Sequence, residues 1–449
     1  MGKGNNAAQG ARRADAAYTK KNITNVFSTG GVIMQERHKL VALCVAASFV
    51  SYIDRVNISV AALAMQEHYG WSETVKGIVL SSFFVGYLLF MVPSGWAANR
   101  FGGKRVLGLA VLWWSIFTML TPLAAGVSFA LLIAARIAMG AGEAAMFPAV
   151  YNLYSRWVPA AERSRAVALM IGGVPLGTLF ALMSSGVLVS HLGWPSVFYL
   201  FGLIGLAWCL LWNRHSYDYP DDNPRMTPAE RSLLPEVAPR SAKDRPPVPW
   251  RQLLTSAPVW ALIINHLCSN WILYMLLAWL PSYFRKGLGL SIQSAGLYAA
   301  APWLAMLVCG VASGWLADRW IRGGTDATFV RKFMQITGLL GAAFFMWQAR
   351  AVTSPDTALA LMCGALGALA MTWGGFVSNH LDIAPRYADV LMGITNTAGT
   401  LPGVIGVTVT GALVDASGTY TSAFVLAACV NIFGALVWLL FATARKVVD

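Results

Sequence analysis

The chain has 449 residues, of which 57% are hydrophobic and only 12% charged, with 18 Trp and a mean hydropathy of +0.58. That balance excludes a soluble globular protein and specifies an integral membrane protein. The net charge of +13 does not signal a nucleic-acid partner, because the basic residues are sorted by position along the chain.

The first 39 residues are rich in Gly, Ala, Asn and Lys and lack the apolar core of a signal peptide. They are expected to form a disordered cytoplasmic tail, although their scarcity of acids also leaves a transit peptide open. From Leu40 onward, apolar runs of the roughly 20 residues that cross a bilayer recur to the C-terminus. They predict twelve helices over 40–63, 75–98, 106–126, 128–155, 164–188, 196–213, 258–284, 294–317, 332–350, 357–380, 388–413 and 421–444. With these spans, 27 of the 33 Lys and Arg lie on the side of the termini, and only Lys76, Arg285, Lys286 and Arg350 lie opposite. The positive-inside rule therefore puts both termini in the cytoplasm, and the plasma (inner) membrane is the expected location.

A polar segment from Asn213 to Gln252 carries 8 of the 20 prolines and divides the spans six and six. The expected organisation is thus a tail (1–39), an N-terminal six-helix bundle (40–213), a cytoplasmic linker (214–257), a C-terminal six-helix bundle (258–444) and a short tail (445–449). Within the linker, Thr227, Pro228 and Glu230 carry N-cap, N1 and N3 chemistry and predict a short surface helix. All six cysteines fall in predicted spans without a CxxC pair and are read as packing residues; no metal site or cofactor is expected.

The halves echo each other. GWAANRFGGKR (Gly95 to Arg105) lies between helices 2 and 3, and GWLADRWIRGG (Gly314 to Gly324) lies 219 residues later between helices 8 and 9. Gly95, Arg100, Gly102, Arg105, Gly314, Asp318 and Arg319 are expected to form gating loops, with glycines for tight turns and charges for ion pairs. This all-α, twelve-helix, pseudo-symmetric arrangement with the repeated motif resembles the major facilitator superfamily. Asn99 stands where that superfamily usually has Asp, which weakens the charge network expected at the first mouth.

Four ions sit deep in predicted spans: Asp54 and Arg55 in helix 1, Arg136 and Glu143 in helix 4. On insertion scales each costs about 2.5–3.5 kcal/mol at a helix centre, so such groups persist where they pair or face water. Arg136 and Glu143 are seven residues apart, on nearly one helical face with about 10 Å of rise between them. They are expected to face one cavity without a direct salt bridge. Asp54 and Arg55 differ by about 100° in direction, so one is expected to face the cavity and the other a helix interface. Gly140, Ala141 and Gly142 should admit a neighbouring helix.

The stretches IDRVNISVA, SSFFVGYLLFMVPSG, GAGEAAMFPAVYNLYSRWVPAAERSRAVAL, NWILYMLLAWLPSYF and NHLDIAPRYADVLMGITNTAGTLPG together resemble the anion:cation symporters. That group includes bacterial sugar-acid transporters and the sialin, vesicular glutamate and sodium/phosphate cotransporter relatives. The resemblance implies a non-enzymatic secondary transporter, with proton coupling at Asp54 and Glu143, anion handling at Arg55 and Arg136, and a substrate contact at Tyr87. Asn270, Ser378, Asn379 and Asn396 (with Thr397) are further substrate candidates, as uncharged polar groups in apolar helices. His380 is expected at an interface. Ser269 and Leu80 replace the Arg and His of vesicular glutamate carriers, and Pro175 replaces a sugar-contacting Gln, so neither glutamate nor a bacterial-type sugar acid is favoured. The sequence therefore points to proton-coupled symport of an organic monoanion by alternating access, functional as a monomer in a lipid bilayer. Inorganic phosphate, coupled to sodium, is the alternative within transport, and a non-transporting sensor is the remote one.

Overall fold

A computed structural model describes residues 35–234, 248–385 and 387–447. The first 34 residues, the linker from 235 to 247 and the last two residues, all parts of the expected tails and linker, lie outside the described residues.

The described residues contain twelve long helices: α1 (Glu36–Tyr69), α2 (Glu73–Phe101), α3 (Gly103–Val127), α4 (Phe129–Trp157), α5 (Ala160–Leu192), α6 (Pro195–His215), α7 (Ala257–Gly287), α8 (Ile292–Arg322), α9 (Ala327–Ala349), α10 (Pro355–Ile383), α11 (Ala388–Ser417) and α12 (Thr421–Phe441). Eleven are long and apolar enough to cross a membrane. The twelfth, α9, has the length but carries Arg331 and Lys332 near its start. The fold is the all-α, two-bundle arrangement expected, with large apolar side chains such as Leu89, Phe90, Trp113, Leu210 and Leu440 exposed on its outside, where a bilayer replaces water.

Local chemistry sets the interruptions. Span α4 breaks at Ala144–Ala145, where Pro148 has no N–H to offer the Ala144 carbonyl and its ring crowds it. Both α7 and α10 contain π-helical turns, at Tyr283–Gly287 and Trp373–Val377. Helices α2 and α3 are separated only by Gly102, whose φ of 91° is left-handed territory.

The mouth motifs correct the sequence reading. Gly95 to Phe101 are the last turns of α2, and Gly314 to Arg322 the last turns of α8; they are helix ends and not loops. Gly95 and Arg100 thus lie in α2, Arg105 in α3, and Gly314, Asp318 and Arg319 in α8. Asn99 accepts from Asn152 Nδ2 at 3.1 Å. Asp318 is exposed and forms no ion pair among the described residues; its carbonyl accepts from Arg322, while Arg319 lies over the Trp315 ring.

The linker helix appears where expected, at Pro228–Arg231, with Thr227 Oγ1 accepting from the Glu230 amide. Glu230 does more than expected: its carboxylate accepts from the backbone amides of Glu36 and Arg37 at 3.2 and 2.9 Å. It therefore caps α1, which begins four residues before the predicted start. Asp218 accepts likewise from the Lys104 amide at the start of α3. Helix starts leave orphan N–H groups and positive dipole ends, and both carboxylates answer these.

Candidate functional site

Close helix packing in the first half positions the buried ions. A Cβ on Gly86 of α2 would lie 1.9 Å from the Ile137 carbonyl oxygen, and one on Gly140 of α4 would lie 2.0 Å from that of Phe83. Only glycine permits this approach. It brings α4's Arg136 and Glu143 against α1 and α2.

Arg55 donates to a single oxygen of Glu143, from Nη2 at 2.8 Å and Nε at 3.1 Å, and Ser51 donates to the same oxygen at 2.8 Å. Glu143 Oε1 is left without a hydrogen-bond partner. The Arg55 guanidinium also sits among three rings, 4.6 Å from the Tyr52 centroid and 4.8 Å from those of Phe83 and Tyr87. Such ring faces stabilise a desolvated cation without neutralising it.

Asp54 points the other way, accepting from the Trp114 indole of α3 at 3.1 Å, with its second oxygen unpartnered. The 100° offset read from the sequence therefore separates an arginine facing the cavity from an acid facing a helix interface. Among the described residues Arg136 has no acid within salt-bridge distance; Nη1 meets Met139 Sδ at 3.0 Å, its guanidinium lies 5.6 Å from the Phe83 ring, and Nε is unpartnered. Arg55 and Arg136 line one small cavity with Ser59, Leu80, Phe84 and Leu277. A buried cation without an anion at 1% exposure is costly unless a ligand or water completes it.

A second, larger cavity lies between the halves, lined by Tyr52, Pro175, Tyr274, Trp303, Met306 and Trp373 among others. Leu277 borders both cavities.

The second-half candidates are not brought to these cavities. Asn270 donates to the Gly399 carbonyl of α11 at 2.8 Å, and Asn379 to the Thr443 carbonyl at 2.9 Å. Ser378 bonds within its own helix, to Trp373, Thr397 to Gly393, and Asn396 lines neither cavity. Helix-to-helix bonding explains Asn270, and Asn379 ties α10 to the chain just past the end of α12. His380, expected at an interface, is buried between α10 and α11, its Nε2 2.8 Å from Thr395 Oγ1.

Sequence reasoning missed a cluster on the side away from the termini. Lys76, read as a loop cation, is fully buried and meets Glu73 at 2.5 Å, Gln66 at 2.9 Å, Ser282 at 3.1 Å and the Trp279 ring at 4.7 Å. Lys286 joins Glu73 at 2.8 Å, and Asp415 of α11 caps α2 through the Glu73 and Thr74 amides. Thr408 and Ser81 bond across the halves at 2.9 Å. The two bundles are thus latched at this end. The Ser72 N-cap, whose Oγ accepts from the Val75 amide, was the available signal, since it sets Lys76 one turn inside a helix.

Two helical bundles enclosing one arginine-lined cavity and one aromatic cavity define a multi-pass membrane protein built like a secondary transporter. The chain belongs to the Major Facilitator Superfamily, whose family model matches residues 44–407. It is 42% identical over 439 residues to the chloroplastic ascorbate transporter of Arabidopsis thaliana, covering 97% of this chain and 80% of that protein. It is equally 42% identical to chloroplastic sodium-dependent phosphate transport protein 1 of the same plant, over 92% of this chain and 80% of that one. Sheep (Ovis aries) sialin is 35% identical, over 92% and 90%. These relatives are named as transporters and not as enzymes. Among solved structures, a bacterial homologue of the human lysosomal transporter Spinster superposes with a TM-score of 0.74 at 18% identity, covering 90% of this chain and 96% of that one. The D-xylose–proton symporter superposes at 0.71 and 17%, over 90% and 98%.

Proposed function

We propose that this protein carries an organic monoanion across the membrane by alternating access, in symport with protons. The observation that carries this reading is Arg55, which borders the cavity while spending its hydrogen bonds on Glu143. An entering carboxylate competes with Glu143 for the guanidinium. A glutamate stripped of its cation in a low-dielectric site takes up a proton, so anion and proton binding become linked. Arg136 supplies a second, unneutralised positive charge on the same cavity, Tyr87 steadies Arg55, and Asp54 is the second proton site. Rocking of one bundle on the other, opening the Glu73–Lys76–Asp415 latch while closing the opposite mouth, would expose the cavities alternately.

The names of the relatives support an anionic substrate. A functional monomer is part of the same proposal. The basic-side asymmetry supports both termini in the cytoplasm. That asymmetry orients the chain without selecting a membrane; four plant relatives above 40% identity are named chloroplastic, and fluorescence imaging of the tagged chain distinguishes a chloroplast location from the plasma (inner) membrane expected from the sequence.

Sodium-coupled phosphate transport is the second reading, favoured by the relative so named at 42% identity. Uptake into proteoliposomes under a pH gradient or a sodium gradient separates them. Uptake driven by the pH gradient supports proton symport; uptake indifferent to pH and dependent on sodium defeats it.

A further inference from the structure

Resting on the organic-anion reading, we infer that the larger cavity is the subsite for the body of the substrate, and that it selects an aromatic carboxylate carrying a hydrogen-bond acceptor on its ring.

Its walls come from α1, α5, α7, α8 and α10: Tyr52, Val174, Pro175, Leu273, Tyr274, Leu277, with Trp303, Met306 and Trp373 opposite. Four of these are aromatic, and the rest are aliphatic, proline or methionine. Such a lining stacks on a flat apolar body and offers few partners to a polyol, whose hydroxyls would lose water without replacement. Pro175 sharpens this, since proline brings no side-chain donor or acceptor.

The polar groups of the lining belong to Tyr52, Tyr274, Trp303 and Trp373, and two points bear on selectivity. At one end, Tyr52 separates the cavity from Arg55, whose Nη1 reaches the Tyr52 hydroxyl at 3.4 Å and whose guanidinium overlies the ring. A carboxylate taken by Arg55 therefore leaves the remainder of its molecule facing Tyr52, Leu277 and the cavity beyond. On the α8 wall, Trp303 is 3% exposed, and its indole Nε1 has no hydrogen-bond partner. The fully buried tryptophans spend theirs: Trp114 on Asp54, Trp157 on Asp218, Trp212 on Lys104, Trp279 on Val407 and Trp438 on Arg331. A buried N–H left unpaired is unfavourable, and it discriminates strongly for a ligand that supplies the acceptor. Inorganic phosphate is small and hydrophilic and would leave this cavity unused.

The test measures binding of acetate, gluconate, phosphate, benzoate and 4-hydroxybenzoate to the purified full chain, by thermal shift and by competition in proteoliposomes. The expected order is 4-hydroxybenzoate over benzoate over acetate and gluconate, with benzoate at least tenfold tighter than acetate. Trp303→Phe keeps a ring in place and should reduce the 4-hydroxybenzoate-to-benzoate affinity ratio about fivefold, the loss of one hydrogen bond. Pro175→Gln should shift preference toward gluconate. Acetate or gluconate binding as tightly as benzoate overturns the subsite while leaving the organic-anion reading intact. A ratio untouched by Trp303→Phe removes the acceptor requirement. Phosphate binding with no carboxylate binding overturns both readings.

Discussion

Arg55 and Glu143 meet through one carboxylate oxygen only: two guanidinium N–H groups and the Ser51 hydroxyl converge on Oε2, and Oε1 has no partner. A fixed structural pair would be expected to use both oxygens in a bidentate fork. The one-sided geometry leaves Glu143 a vacant oxygen for a proton and leaves Arg55 a face toward the cavity. Glu143→Gln keeps the shape and removes the titrating group. It should lower pH-driven net uptake at least tenfold while counterflow exchange persists in part. Equal loss of both in proteoliposome assays would show that Glu143 serves structure and not coupling.

Arg136 makes the complementary prediction. It carries a buried charge with no acid at bonding distance among the described residues and its Nε unpartnered, so its removal relieves a desolvation cost in the empty protein while removing a ligand for the anion. Arg136→Ala should abolish anion binding without lowering the melting temperature. Binding retained within twofold, read by thermal shift against a carboxylate panel, would take Arg136 out of the site.

How much of this was visible in the sequence follows from where charge is expensive. Asp54, Arg55, Arg136 and Glu143 announced themselves because ions interrupt otherwise apolar spans, and the helical offset correctly sent Arg55 and Asp54 in different directions. Asn270 and Asn379 could not be placed, since α7 and α10 are apolar on every side and periodicity names no inward face. The mouth motifs were read as loops because hydropathy ends with the bilayer while hydrogen bonding does not. At about 1.5 Å per residue, the 31 residues of α8 outrun a hydrocarbon core of roughly 30 Å. Lys76 was only counted among the cations opposite the termini, because a single cation at a span's edge looks solvated. Its partners Gln66, Ser282 and Trp279 come from two other helices, and no local pattern reveals them.

The latch at Lys76 gives a conformational prediction. Breaking a buried ion pair from one side typically costs about 3–5 kcal/mol, because the remaining charge stays desolvated. Lys76→Met should therefore destabilise the closed state of that end, where Glu73 would retain Lys286 as its cation and Gln66 as a hydrogen-bond donor. Cysteine introduced at Ser81, whose hydroxyl meets Thr408 across the halves, should react several-fold faster with a membrane-impermeant thiol reagent added from that side. No change in labelling rate would mean that the α2–α11 packing holds the bundles together without Lys76.

Helix packing supplies a test that separates fold from function. Gly86→Ala places a methyl 1.9 Å from a backbone oxygen of α4, which only a helix displacement can relieve. Overpacking of this kind costs about 1–3 kcal/mol or more. Gly95→Ala, in open space on the same helix, should be neutral or gain about 0.5–1 kcal/mol from helix propensity. Detergent melting temperatures of the two variants should diverge accordingly, and equal values would show that α2 and α4 are not in the close contact described.

The linker carries the last prediction, because it turns a polar connection into a structural clamp. Glu230 holds the first amides of α1, and Arg37, one of the residues it caps, reaches Glu162 at the start of α5 through Nε and Nη2 at 3.0 and 3.1 Å. One carboxylate in the linker thus organises the starts of two helices in the first half. Loss of a cap costs about 0.5–2 kcal/mol, so Glu230→Ala should lower the melting temperature by a few degrees. It should also speed hydrogen exchange at the Glu36 and Arg37 amides, with the α8 and α9 ends unaffected. Glu230→Gln, which still accepts hydrogen bonds but brings no charge to the positive helix end, should fall between the two. Exchange rates that rise uniformly across all twelve helices would instead assign Glu230 a role in global stability and remove it as the cap of α1.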